Sequence, residues 1–415
     1  MNETCYIDGF GPLPIVKPDG VASLGDLIRQ AAARAAALYP VGGQTSISIG
    51  APPSKAGQIV DLRALAKVID FPARDMTVTV EAGITMKHLS NLLARENLRL
   101  PIDVPHADCA TLGGILAANV SGPRRLGYGT LRDYVIGISA LNDEGNEFKA
   151  GGRVVKNVAG YDLCKLLVGS FGTLGIITQA TLKLRPLPEL QTVLVLMGEP
   201  GQLEAILTCL HVSRTRPVCV ELLNQAAART VFAEAKLAVP DTSWVLLVGY
   251  EGNADAVAWQ VQQLVKEVGK QRRIDGRIDF TAKPLCEAVV ELAALPMIET
   301  TFKASILPSA TAAFCQQVDR EPQRPLVRAH AASGIVYGHW PSGLTLAQAA
   351  SMLTTWRDLA VQGQGSVIVP RCPSAWKTTL SVWGQPRPDA WLMREVKAKF
   401  DPKGIFNPGR FVDGI

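Results

Sequence analysis

The eight cysteines of this 415-residue chain, Cys5, Cys109, Cys164, Cys209, Cys219, Cys286, Cys315 and Cys372, include no C-x-x-C pair. The familiar sequence patterns for a zinc ribbon or an iron–sulfur cluster are therefore missing. Scattered thiols suit a reducing cytoplasm, where they pack as small hydrophobes. Histidine is scarce, at five residues, and aromatics make up 6%. Charge is nearly balanced: 42 Lys and Arg face 37 Asp and Glu, a formal net charge of +5. Without a basic run, that excess argues against a nucleic-acid binder. No apolar stretch reaches the roughly 18 residues of a membrane-spanning helix. The start, MNETCYIDGFGPLPIVKP, has neither the basic nor the apolar region of a secretory signal. Also missing are G-x-G-x-x-G after a strand, G-x-x-x-x-G-K-[ST], G-x-S-x-G and H-E-x-x-H, so the usual nucleotide, hydrolase and metalloprotease readings lack support.

What the chain has is glycine and proline, 37 and 27 residues. Its length suggests two or three domains and is ample for a core without disulfides. Glycine motifs crowd the chain up to about Leu187. From Pro188 it reads as longer helices and short strands, and KLRPLPEL (Lys183 to Leu190) is a plausible crossing. A helix is expected from Ser23 to Leu38, with Ser23 and Asp26 as a capping box and an apolar stripe through Leu24, Leu27, Ile28, Ala31, Ala35 and Leu38. Strands are expected at Gln58 to Leu62 and Met76 to Glu81, and a helix from Thr85. In the second half, Trp244 to Tyr250 reads as a strand. Ala254 to Val268, Leu344 to Leu359 and Trp391 to Phe400 read as helices.

Three glycine segments are candidates for cradling an anion with backbone amides. Pro40-Val41-Gly42-Gly43-Gln44-Thr45-Ser46 can turn several N–H groups to one point, with two hydroxyls beside them. A Gly-Gly turn also serves as plain punctuation. Ala110-Thr111-Leu112-Gly113-Gly114, continuing through Ala117, Ala118, Asn119 and Ser121 to Gly122, would set positions 114, 117, 118 and 121 on one flat helical face. Such a face suits a planar or phosphate-bearing ligand, or close packing of a helix. Gly169 to Thr178, with Gly172 and Gly175, leads into an apolar strand and permits close backbone approach.

In this order the segments resemble one family. P-x-G-G-x-T-S is followed by T-V-T-V-E-A-G, then L-P-I-D-V-P…A-T-L-G-G-I-L-A-A-N-x-S-G and G-x-x-R-D-Y-V-x-G. K-N-V-A-G-Y-D-L…G-S-F-G-T-L-G-I-I-T comes last, and F-D-P-K-G-I-F-N-P-G-R-F closes the chain. The pattern resembles the FAD-binding domain of the vanillyl-alcohol oxidase / p-cresol methylhydroxylase superfamily over about Pro12 to Leu187. Within it, K-N-V-A-G-Y-D-L and the short C-terminal half resemble the FAD-binding subunit of bacterial glycolate oxidase. The resemblance implies an α+β chain in three parts. These are a two-subdomain FAD-binding domain (1–187), an α+β C-terminal cap (188–398) and a tail returning to the flavin (399–415). It implies that Pro40 to Ser46 wrap the FAD pyrophosphate and that Pro105 and Cys109 to Gly114 form the far side, Thr111 lying near the ribityl chain. Ala117, Ala118, Asn119 and Ser121 would line the cofactor, with Gly172, Gly175 and Ile177 closing it and Asn407 and Arg410 beside the isoalloxazine. Gln44 stands where relatives with covalent flavin carry a linking histidine, so non-covalent FAD is expected. Cys109, two residues before Thr111, is the alternative anchor.

The resemblance further implies an oxidoreductase subunit that oxidises a small 2-hydroxy acid. A larger FAD-binding subunit and an iron–sulfur subunit would be its partners, in the cytoplasm or held at the membrane periphery through them. Two readings stay open beside it: a stand-alone FAD-dependent alcohol or hydroxy-acid oxidase or dehydrogenase, and a non-catalytic assembly subunit. Relatives' H-x-G-D-G-N-x-H segment is not kept; His330 and His339 stand apart in sequence, and no metal site is expected. Arg371 is the cation best placed for a carboxylate, if it is not simply on the surface. No catalytic acid or base is assigned, and Lys156, Tyr161 and Asp162 are the first residues to test.

Overall fold

The computed structural model describes residues 3–152, 161–239, 241, 244–269, 275–279, 282–321, 323–385 and 388–415, with 275–279 and 282 as backbone. It divides into two compact units, both mixed α and β. One comprises Met1–Ser121, Thr130–Leu187 and Ser374–Ile415; the other Gly122–Gly129 and Pro188–Pro373. The C-terminal segment of the first unit thus begins at Ser374 rather than at 399. The reason is that residues from Ser374 onward make their packing and hydrogen bonds with the N-terminal strands and loops of that unit.

The first unit holds two sheets. In one, Thr4–Ile7 and Phe10–Val16 run antiparallel, followed by Gly57–Asp61 and Ala37–Val41, paired parallel. The C-terminal segment extends this sheet. Leu38 donates to the Ile405 carbonyl at 2.7 Å, and Asn407 donates to the Leu38 carbonyl at 2.9 Å. The other sheet is antiparallel, in the order Val68–Asp70, Thr77–Glu81, Ile176–Lys183, Val135–Leu141 and Glu147–Gly151. Leu24, Ile28, Leu38, Val60, Leu141, Ile176, Ile405 and Phe406 share one buried cluster. Each such side chain contributes about 1.5–3 kcal/mol on burial, so the tail is part of the core rather than an appendage.

The expected helix to Leu38 is shorter, Val21–Ala33, and its N-cap is Gly20. Ser23 closes the box through its hydroxyl, which accepts the Gly20 amide at 3.2 Å. Ala35, at φ 50°, breaks the helical path. Ala37–Val41, buried on both faces apart from Pro40, then satisfies its backbone by parallel pairing. Tertiary burial overrides the helical periodicity there. The expected helical face through Ser121 is cut short as well. The helix is Leu112–Ala118, and Asn119 ends it in the left-handed region at φ 49°.

The second unit is an eight-stranded antiparallel sheet. Its order is Asp275–Asp279, Leu190–Gly198, Trp244–Gly252, Cys219–Asn224, Leu326–His330, Ile335–Trp340, Thr300–Ser305 and Ser366–Arg371. Helices Gln225–Glu234 and Ala282–Glu291 cover one end of one face, over Val193, Val195, Leu223 and Leu247. On the opposite face Trp356 of helix Leu346–Gln362 meets Phe302 and Trp340, with ring centroids 5.3 and 5.4 Å apart. Among the described residues no helix is long and apolar enough to cross a membrane.

Candidate functional site

The first unit carries a cleft of about 640 Å³, continuous through shared lining residues with a second of about 460 Å³. Strand Ala37–Val41 delivers Pro40 to Ser46 along its wall. Among the described residues none accepts a hydrogen bond from the backbone N–H of Gly42, Gly43, Gln44, Thr45 or Ser46. Five consecutive donors without a protein partner, beside a cleft, are rare, because backbone groups are nearly always paired or hydrated. The two glycines are dictated by contact. A Cβ at Gly42 would lie 1.9 Å from the Thr111 hydroxyl, and one at Gly43 would lie 1.8 Å from the Cys109 carbonyl oxygen.

The second glycine segment works differently from the first. Leu112 and Gly113 donate to the carbonyls of Ile84 and Ala82, at 2.9 and 2.7 Å, and Gly114 donates to the Thr111 hydroxyl at 3.4 Å. Those amides are bound within the protein, so the segment offers surface and the Thr111 hydroxyl rather than an amide cradle. Thr111, Gly113, Gly114, Ala117 and Ala118 line the clefts. Gly172, Gly175 and Ile177 line the second one.

The C-terminal segment reaches the same cleft. Asn407 Nδ2 donates to the Phe171 carbonyl at 2.5 Å. Lys397 Nζ reaches the Thr173 carbonyl at 2.8 Å and the Asp401 carboxylate at 2.5 Å, and burial lowers its pKa against the pull of Asp401. Arg410 is buried and donates to Asp8 Oδ2 at 2.5 Å, to the carbonyls of Ile49 and Ala51 at 2.8 Å each, and to that of Ile47. Its guanidinium is engaged by this loop and the carboxylate.

Six expected residues do not line the cleft. Ala110 and Leu112 are fully buried in the core. Asn119 is exposed at the helix end, and Ser121 lies beyond it. Pro105 is half-buried in the turn before Cys109, whose free thiol belongs to an exposed residue. Phe171, Tyr39, Ile7 and Ile47, which carry no motif signal of their own as binding residues, also line it. Phe171 sits within a glycine motif. Tyr39 belongs to strand Ala37–Val41, just past the expected helix; its hydroxyl donates to the Lys55 carbonyl at 2.5 Å, and burial pushes its pKa up to about 12. Lys156 lies outside the described residues. Tyr161 is 96% exposed, and Asp162 caps helix Leu163–Leu167 by accepting the Lys165 amide at 3.0 Å.

The second unit gathers a polar set on one sheet face, where the strand registers place Glu221, Arg328, His330, Tyr337, His339, Thr301 and Lys303 side by side. The two histidines, nine residues apart on neighbouring strands, flank the Tyr337 ring at 5.5 and 5.8 Å. His330 Nδ1 meets Glu221 Oε1 at 2.6 Å, and His339 Nδ1 meets Thr301 Oγ1 at 3.0 Å. Burial lowers both imidazole pKa values, with Glu221 pulling the other way at His330. Arg328 lies over Tyr337 at 4.8 Å, and half-buried Arg371 pairs in register with Thr301. Among the described residues no three His, Cys, Asp or Glu side chains group as metal ligands.

Comparison with known proteins agrees with this architecture. A model described as "FAD binding domain" matches residues 12–151, and one described as "FAD linked oxidases, C-terminal domain" matches 387–411. The D-lactate dehydrogenase of Archaeoglobus fulgidus is 28% identical over 96% of this chain and 91% of its own length. Glycolate oxidase subunit GlcE of Escherichia coli is 33% identical over 40% of this chain, and the match spans about half of that subunit, 47%. An alkyldihydroxyacetonephosphate synthase structure shares the fold, with a TM-score of 0.67 at 18% identity over 96% of this chain and 77% of that one. Residues 12–151 and 387–411 thus match the two domains of FAD linked oxidases. The chain is a FAD-linked oxidoreductase, and its cofactor is FAD.

Proposed function

We propose that the chain is the FAD-binding subunit of a glycolate oxidase-like 2-hydroxy-acid dehydrogenase complex, and that it holds FAD without a covalent bond. The observation that carries the proposal is the row of unpartnered amides from Gly42 to Ser46 on the cleft wall. A run of free N–H donors suits a diphosphate and needs no cluster of cationic side chains. Thr111 would donate to the cofactor's polyol, and Gly114, Ala117 and Ala118 would give it a flat bed. Gly172, Gly175 and Ile177 would form the apolar wall, and Asn407 and Arg410 would hold that wall in place. FAD bound there supplies a two-electron acceptor for the hydroxyl-bearing carbon.

The partners are a larger FAD-binding subunit and an iron–sulfur subunit that receives the electrons; the likeness to glycolate oxidase subunit GlcE supports this. The near full-length likeness to a D-lactate dehydrogenase favours a second reading, a stand-alone dehydrogenase.

Purification from the native host, with absorbance spectra and dye-linked assays on glycolate, D-lactate and D-2-hydroxyglutarate, separates these readings. The subunit reading expects a yellow chain with an iron–sulfur partner and little turnover once isolated. Turnover by the isolated chain establishes the stand-alone reading. A colourless chain that takes up no FAD overturns both.

A further inference from the structure

Behind the donor loop lies a buried ionic cluster from opposite ends of the chain. Lys377 Nζ donates to Asp8 Oδ1 at 2.8 Å and to the carbonyls of Ser48 and Gly50 at 2.5 and 2.9 Å. Arg410 takes the other Asp8 oxygen and the carbonyls of Ile47, Ile49 and Ala51. Five successive carbonyls are thus drawn alternately to two cations, with one carboxylate between them. The three side chains are 0 to 5% exposed. Burying two cations against one carboxylate is costly unless every donor is matched, and here the loop's own carbonyls complete the set. The segment so held, residues 47–51, continues directly from the free amides of Gly42 to Ser46.

We propose that Asp8 and Lys377 are positioning residues for FAD: they fix the carbonyl side of the 47–51 segment so that the preceding amides stay preorganised for the diphosphate. The proposal rests on the cleft's being the FAD site. Neither residue lines the cleft, and both act through the loop. Preorganised donors bind more tightly because the loop's ordering entropy is already lost in the free protein. The cluster's surplus positive charge, in a low-dielectric setting, favours an anion at the amides.

The test is dilution of the flavin-loaded full chain, following the rise of free FAD fluorescence. Lys377→Met should raise the FAD Kd at least tenfold. Gly50→Ala tests the same loop more gently. Gly50 has φ +95°, and a Cβ there would lie 2.4 Å from the Arg410 carbonyl oxygen. It should likewise raise the Kd several-fold. Leu24→Ala, in the core of the same unit, is the control: it should lower Tm and leave the FAD Kd within twofold. If Lys377→Met does not fold, Gly50→Ala decides. A folded variant of either kind with the wild-type Kd overturns the proposal, as does a Leu24→Ala protein that loses FAD in proportion to its Tm. A wild-type chain that carries no FAD would instead overturn the cleft assignment.

Discussion

Gly43 meets the Cys109 backbone so closely that a Cβ on it would stand 1.8 Å from the Cys109 carbonyl oxygen. The first two glycine segments are therefore faces of one contact, and the geometry of the free amides depends on it. Gly43→Ala must push one backbone away from the other. Overpacking of this kind costs about 1–3 kcal/mol. The expected outcome is a lower Tm together with weaker FAD retention on gel filtration. A variant that keeps wild-type flavin content would show that the loop's spacing does not matter.

The motifs of this cleft were legible because close backbone approach leaves glycine as the residue at Gly42 and Gly43, a signal visible without a fold. The strand Ala37–Val41 was not. Leu38 falls in step with the apolar stripe of the preceding helix, and only parallel pairing with Gly57–Asp61 reveals it. Asp8 and Lys377 carry no local signal, since their contact spans 369 residues. The amides of Leu112 and Gly113 looked as available as those of Gly42 and Gly43; their acceptors on Ile84 and Ala82 are tertiary. The pairing of His330 with His339 across Tyr337 follows from hairpin register, which nothing in their spacing announced.

Asn407 ties the C-terminal segment to Phe171 through its side-chain amide, and its own φ is 48°. Asn407→Ala removes the donor to a part-buried carbonyl and places alanine in the left-handed region. The lost hydrogen bond alone costs about 1–3 kcal/mol. Tm should fall by several degrees, and proteolysis should cut more readily after Lys399 or Lys403. Asn407→Gly, which relieves only the backbone, should recover part of the loss. No recovery would mean that the hydrogen bond carries the whole effect.

Cys109 is exposed and outside the residues lining the cleft, although its backbone braces Gly43. Acid precipitation of the native protein should leave all flavin colour in the supernatant. Cys109→Ser, which keeps the backbone contact, should bind FAD as the wild type does. Colour retained in the wild-type pellet and lost from that of Cys109→Ser would establish a thioether link instead.

The two buried histidines oppose stability on the acid side. Burial, reinforced by the charges of Arg328 and Arg371, holds the His339 pKa well below its ordinary value. Unfolded, the imidazole titrates near pH 6.5, by the reference value of about 6.5 for histidine. Between that pH and the lower folded value, the unfolded state binds a proton that the folded state refuses. Stability therefore falls as pH drops through this window, and it is unaffected by this group above it. His330 acts in the same direction, with Glu221 opposing the effect of burial. His339→Gln keeps a polar contact for Thr301 and removes the titration. Its Tm should decline less steeply than that of the wild type from about pH 6.5 downward, and the double variant with His330→Gln should be flatter still. Thermal unfolding across that pH series decides it: an unchanged slope in His339→Gln would mean that His339 already carries its proton in the folded state.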